Sequence, residues 1–247
     1  AAYPKDTDPA VMIQRAKDAD IVMMANMPLP GEVIAACDKL KFIDVAFTGV
    51  DHVDLDAARE MGVAVSNAAG YSEQSVAELV VGQMIHLLRN VPAVENRCRN
   101  GGTKDGLVGN ELGSSVVGIV GVGAIGSRVA TLCRAFGSTV IGYVPHPSEH
   151  SRALLTYVSL EELLQRADIV TLHCPLTPET RGLIGREQLA LMKPSAYLIN
   201  MARGPVVDAQ AVADALNQGK IAGAAIDVFE KEPPLNVEKF KIEKYGL

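Results

Sequence analysis

Three glycines spaced G-x-G-x-x-G, in Gly121-Val122-Gly123-Ala124-Ile125-Gly126, are the residues in this 247-residue chain whose types and spacing speak most directly of chemistry. Their jobs are separable. Gly121 allows a tight turn, Gly123 lets the backbone approach a pyrophosphate, and Gly126 lets a helix pack closely on a sheet. The free N–H groups and positive dipole end of that helix would then meet the phosphates. A glycine turn that only packs is the bland alternative, and local context argues against it. The apolar run Val116–Val120 precedes the turn, a helix is expected from Ser127 to Phe136, and a second strand from Thr139 to Tyr143. The pattern therefore predicts a dinucleotide site.

One part of that fingerprint is absent. An Asp or Glu about 20 residues on, at the end of the second strand, would bind the adenosine ribose hydroxyls. The sequence there is Tyr143-Val144-Pro145-His146-Pro147-Ser148, with no carboxylate. Val144 cannot hydrogen-bond a 2′-hydroxyl, but it would not repel a 2′-phosphate either. His146, Ser148 and Arg152 could contact such a phosphate or be ordinary loop residues. The choice between NAD and NADP stays open at this point.

Other chemistries find little support. Cys37, Cys98, Cys133 and Cys174 form no C-x-x-C pair, which excludes a zinc ribbon or dithiol redox motif, and no metal site is expected. His52 and His86 have no partner constellation and read as packing or surface histidines. Cys174 has no basic neighbour that would activate a thiolate. The net charge of −6 argues against a nucleic-acid surface. The richest apolar window, Val76–Leu88, is broken by Glu78, Gln83 and His86, so no membrane span is expected. Cysteine usage fits a reducing compartment and predicts a cytoplasmic protein.

The elements that would position these residues follow from alternation of helix-like and short apolar segments. Helices are expected over Ala10–Ala19, near Glu32–Cys37 and over Leu55–Met61, with strands at Ile21–Ala25, Phe42–Phe47 and Val63–Val65. Ser75-Val76-Ala77-Glu78 has the form of a capping box opening a longer helix. The glycine-rich stretch Arg97–Gly113 reads as a connector, and a second alternating series runs from Val116 to Phe229. At 48% hydrophobic and 4% aromatic residues, the aliphatic composition suits buried parallel strands. An α/β protein of two lobes is expected: residues 1–70, a connecting helix and linker 71–113, and a dinucleotide lobe 114–235.

Three further segments narrow the reading. They are Asp168-Ile169-Val170-Thr171-Leu172-His173-Cys174-Pro175-Leu176-Thr177-Pro178-Glu179-Thr180, Leu198-Ile199-Asn200-Met201-Ala202-Arg203-Gly204-Pro205-Val206-Val207-Asp208, and Gly223–Pro234 around Asp227 and Glu232. With the glycine turn and Tyr71–Leu79, they strongly resemble the D-isomer-specific 2-hydroxyacid dehydrogenases over nearly the whole chain. The resemblance implies two doubly wound parallel-sheet lobes, a flavodoxin-like substrate lobe and a Rossmann lobe. It also implies hydride transfer between a nicotinamide cofactor and a small D-2-hydroxy or 2-keto acid, and a homodimer formed through the cofactor lobe.

Residue by residue, Arg203 resembles the arginine that grips the substrate carboxylate and polarises its keto oxygen. Glu232 matches the acid that orients and charges the catalytic histidine, and Asp227 the residue facing the nicotinamide carboxamide. Ala124 and Ile125 would present backbone to the pyrophosphate. Cys174, Pro175, Thr180, Met201 and Ala202 would line the cofactor cleft, near Val144. Thr48, Gly49 and Val50, within Phe47–Asp51, resemble the loop whose N–H groups bind the substrate carboxylate. By the same resemblance His173 is structural rather than catalytic.

The family's general acid is a histidine well downstream of Glu232, and no histidine follows His173. A missing stretch between Leu235 and Asn236 is expected, along with a missing βα unit before Ala1, residues 236–247 resembling the family's terminal helix. A second function class remains open: a catalytically inactive, dinucleotide-sensing binding protein resembling the corepressors built on this fold.

Overall fold

A computed structural model describes residues 1–147 and 152–230. The chain divides into two compact units, Ala1–Ser72 and Glu73–Leu247. In the first, helices α1 (Pro9–Ala16), α2 (Gly31–Ala35) and α3 (Leu55–Glu60) alternate with strands β1 (Ile21–Met24), β2 (Phe42–Val45) and β3 (Ala64–Asn67). The strands form a parallel sheet in the order β1-β2-β3, with Ile43 opposite Val22 and Val65. Ile34, Ile43 and Val45 are fully buried and anchor this unit's core. Asp8 and Asp54 cap α1 and α3, each accepting a hydrogen bond from a first-turn N–H.

The second unit begins with α4 (Glu73–Leu88) and α5 (Val91–Arg99). Helix α4 starts two residues before Ser75, which corrects the expected capping box. Ser75 sits inside the first turn, and Glu78 accepts instead from the Gln74 side-chain amide. Glu73 at the helix start suits the positive end of the dipole. Helix α5 reaches only to Arg99, three residues into the stretch Arg97–Gly113 that reads as a connector. It opens where Asn90 adopts a left-handed conformation (φ 52°) and Pro92 lies in the first turn. Ala77, Val80 and Met84 of α4 pack in the same core as Val129, Ala130 and Cys133.

The rest of this unit is a six-stranded parallel sheet. Its strands are β4 (Val116–Val120), β5 (Thr139–Tyr143), β6 (Thr156–Tyr157), β7 (Ile169–Leu172), β8 (Tyr197–Asn200) and β9 (Gly223–Ile226). The order is β6-β5-β4-β7-β8-β9, the doubly wound arrangement in which strand order reverses beside the first strand. Helices α6 (Ala124–Ala135), α7 (Leu160–Arg166), α8 (Arg186–Leu191) and α9 (Ala209–Asn217) connect the strands. All four residues of β7 are buried, as are four of five in β4, because helices cover both faces of a parallel sheet. At the amino ends of the central strands Asp168 fastens the sheet. Its carboxylate accepts from Val116 N at 2.8 Å and from Lys193 Nζ at 2.8 Å.

Both units are α/β with parallel sheets, as the alternation requires. Among the described residues no helix is long and apolar enough to cross a membrane.

Candidate functional site

In doubly wound sheets ligands lie beyond the carboxyl ends of the strands, at the point where strand order reverses. Here that point lies between β4 and β7. Gly121 follows β4 with φ 93°, a conformation that L side chains rarely adopt. A Cβ on it would also lie 2.5 Å from the Cys174 backbone N, just past β7. Gly126 is equally constrained, since its Cβ would fall 2.1 Å from Gly121 O. Gly123 differs. It caps α6, and a Cβ there would meet nothing within 4 Å. The outer glycines are therefore needed for packing, and the middle one faces open space in front of a helix N-terminus. Helix α6 begins at Ala124, three residues earlier than expected, so Ala124 and Ile125 supply first-turn N–H groups.

Val144 lies one residue beyond β5, and Tyr143 O accepts from Gly121 N at 2.9 Å. Past β7, Thr180 Oγ1 donates to Pro175 O at 2.6 Å and accepts from Thr177 N at 2.8 Å. That hydroxyl shapes the turn in which Pro175 lies. Burial pushes the Cys174 thiol up, which keeps it protonated, and among the described residues no acidic, histidine or cysteine cluster could hold a metal.

Past β8 the chain runs through Met201 and Ala202 to Arg203. Asn200 organises this segment, and reasoning from the sequence missed it. Its fully buried side chain accepts from Ala202 N at 3.1 Å and donates to Arg203 O at 3.0 Å. Its own carbonyl accepts from Asp227 N at 3.1 Å, just past β9. One asparagine thus holds the backbone of Arg203 and Asp227 together. The signal was an Asn at a strand end, a residue that bonds to the backbone two positions on. The Arg203 guanidinium donates through Nη1 to Ala202 O at 2.8 Å. Gly204 is the second residue missed: a Cβ there would lie 2.1 Å from the Phe229 carbonyl carbon.

His173 directly follows β7 and bonds Thr171 Oγ1 through Nε2 at 2.9 Å, while its backbone N donates to Val120 O at 2.7 Å. Burial pushes the ring down from 6.5 to about 4, so it is neutral in the folded protein at neutral pH. Protonation favours the unfolded chain, so this contribution is fully present above pH 6.5 and is lost as pH falls toward 4. Urea unfolding should show stability falling by about 1.4 kcal/mol per pH unit across that window from this group. His173→Gln should remove that part of the slope.

Gly121, Gly123, Ala124, Ile125, Gly126, Val144, Cys174, Pro175, Thr180, Met201, Ala202, Arg203 and Asp227 all lie in the segments that follow β4, β5, β7, β8 and β9 of the second unit. Thr48, Gly49 and Val50 belong to the first unit, in the loop after β2. There Asn67 Nδ2 donates to Thr48 O at 2.6 Å, and Ala68 N donates to Val45 O and Phe47 O, stitching this loop to the end of β3. Phe47 and Tyr71 meet edge to face with ring centres 6.5 Å apart. Glu232 and the Leu235–Asn236 join lie outside the described residues.

The family model for the D-isomer specific 2-hydroxyacid dehydrogenase NAD binding domain matches residues 81–244. The D-3-phosphoglycerate dehydrogenase of Methanocaldococcus jannaschii is 42% identical over 228 residues, which cover 90% of this chain but 44% of that protein. Among solved structures, D-lactate dehydrogenase from Aquifex aeolicus complexed with NAD and lactic acid superposes with a TM-score of 0.87 at 35% identity, covering 92% of this chain and 70% of that one. An acyclic imino acid reductase in complex with NADPH and D-Arg gives 0.86 at 29% identity, covering 91% and 73%. The chain therefore spans less than half of the first relative's length and most of both solved chains. With a matching family model over most of the second unit and the strand order it requires, this chain belongs to the D-isomer-specific 2-hydroxyacid dehydrogenase family.

Proposed function

We propose that the protein is an oxidoreductase that transfers a hydride between a nicotinamide dinucleotide and a small D-2-hydroxy or 2-keto acid. The observation that carries this reading is the contrast within the glycine turn. Gly121 and Gly126 are packed against backbone, whereas Gly123 faces open space at the N-terminus of α6. Such a concave, donor-rich turn fits a pyrophosphate. A bound nicotinamide dinucleotide would supply or take the hydride.

The chain's own groups do the rest. Ala124 and Ile125 direct N–H groups at the pyrophosphate, with Cys174, Pro175, Thr180, Met201 and Ala202 lining the rest of that site. Asp227 faces the carboxamide end. Arg203 binds the substrate carboxylate and draws charge from the C2 oxygen, a task suited to a planar, permanently charged guanidinium. In the first unit, the backbone N–H groups of Thr48, Gly49 and Val50 form a carboxylate-binding loop. Glu232 would position a histidine acid where the protein has one. The sequence carries no histidine after His173, and a positioned acid contributes about 10²–10⁴-fold. A chain without that group would turn over slowly while binding dinucleotide normally.

The same turn would also serve a dinucleotide-sensing binding protein, but membership of this family favours the enzyme. Absorbance at the nicotinamide band, followed with glyoxylate, pyruvate, hydroxypyruvate and longer 2-keto acids, separates the two. Keto-acid-dependent oxidation of the reduced dinucleotide supports the enzyme. Tight dinucleotide binding with no turnover on any of them would favour the sensor. A homodimer in a reducing, cytoplasmic setting belongs to the same proposal, and the four free cysteines are in keeping with that compartment.

A further inference from the structure

Helices α4 and α6 lie side by side and run the same way. Arg128 Nε donates to Gln74 Oε1 near their starts, and Cys133 Sγ meets Met84 Sδ at 3.7 Å further along both. The first turn of α4 therefore flanks the start of α6, where the glycine turn opens. Arg128 stands four residues after Ala124 and both are exposed, so they share one face of α6 with Cβ atoms about 5–6 Å apart. Side chains on a helix lean toward its N-terminus. The Arg128 guanidinium thus reaches back over Ala124, toward the first-turn N–H groups that have no partner within the helix.

Its charge is held in place without being neutralised. Arg59, Arg99, Arg166 and Arg186 each pair with a carboxylate. Arg128 bonds a neutral amide instead, and among the described residues no carboxylate lies within ion-pair distance of it. The amide is turned by Glu78, whose carboxylate accepts from Gln74 Nε2. That bond leaves the Gln74 oxygen facing Arg128. The two terminal guanidinium nitrogens have no protein partner among the described residues, and they suit an anion that accepts from both.

We propose that Arg128 is a further cofactor-binding residue, held by Gln74 over the first turn of α6 so that its guanidinium contacts the phosphates of the dinucleotide. This rests on the dinucleotide reading above and adds a side-chain cation to the backbone donors of the glycine turn. The test is titration of the full chain with NADH and with ADP, which carries the phosphates without the nicotinamide. Arg128→Ala should weaken both by about 10-fold, as expected for loss of one charge-assisted contact. Arg128→Lys should recover only about a third of that affinity, since an ammonium keeps the charge but not the fork. Gln74→Glu sets a carboxylate against the guanidinium and should weaken both ligands by about 3–5-fold, with no fall in the thermal unfolding midpoint because the tie between the helices is kept. Unchanged affinities in Arg128→Ala would overturn the inference. So would a loss in Arg128→Ala with none in Gln74→Glu, because the pair would then only clip α4 to α6. A wild-type chain that binds neither NADH nor ADP would instead sink the dinucleotide reading beneath it.

Discussion

Arg203→Ala should lower kcat/KM for any accepted 2-keto acid by about 10²–10³-fold, the cost typical of removing one preorganised donor from a developing oxyanion. The dinucleotide Kd should stay within about threefold of wild type, because the pyrophosphate is held by backbone at the other side of the strand reversal. The separation is physical. Arg203 follows β8, whereas the glycine turn follows β4. Truncating the side chain removes the guanidinium's bond to Ala202 O, but the two bonds from the Asn200 side chain to Ala202 N and Arg203 O keep the backbone of that segment tied. Arg203→Lys should rescue little, since an ammonium cannot fork onto a carboxylate. If turnover and dinucleotide affinity fell together, Arg203 would be acting on the cofactor.

Gly204→Ala should destabilise the second unit by about 3 kcal/mol or more, among the large effects tied to overpacking against backbone. The added methyl would lie 2.1 Å from the Phe229 carbonyl carbon and 2.4 Å from Glu230 N. Neither atom belongs to a flexible side chain, so one of the two segments must shift. Those segments carry Arg203 and Asp227, which Asn200 otherwise holds in register. Urea denaturation reads the loss of stability directly. The variant's residual folded fraction should also show weakened substrate turnover, which distinguishes it from a remote destabilising change.

The sequence made β4, its glycine turn and β5 legible because local chemistry and global fold agree there: a Val/Ile run, a glycine that must take positive φ, and a helix behind it. The helix expected from Ser127 begins at Ala124, with a glycine inside its first turn that propensity disfavours. Gly126 is there for closeness to Gly121 O, a tertiary reason that propensity does not carry. The same holds for α4. Ser75 and Glu78 have the spacing of a capping box, yet the helix already runs from Glu73. Helix α5 was hidden because none of its residues is buried, so it lacks the apolar periodicity by which helices are read. Its clues were Asn90 and Pro92.

The candidate site divides in the same way. Gly121, Gly123 and Gly126 could be read from spacing alone, whereas Arg203, Asp227 and Glu232 could be singled out only through family resemblance. Asn200 escaped because a buried asparagine at a strand end looks like any polar residue leaving a sheet. Its importance lies in three backbone groups brought to it from Ala202, Arg203 and Asp227. Spacing in sequence reports local turns well, but not which distant backbone atoms a side chain will serve.

The central claim is that the turn after β4 is built around a dinucleotide, and Gly123→Val tests it most directly. The Gly123 Cβ direction is open, and its φ of −83° is one that any residue adopts, so the folded protein should tolerate the change within about 1 kcal/mol. The valine would occupy the space that a pyrophosphate needs. We expect a thermal unfolding midpoint lowered by no more than about 5 °C together with dinucleotide affinity weakened by roughly 100-fold, measured by titration of NADH or NADPH. A Gly123→Val protein that folds normally and binds both dinucleotides as tightly as wild type would contradict the account.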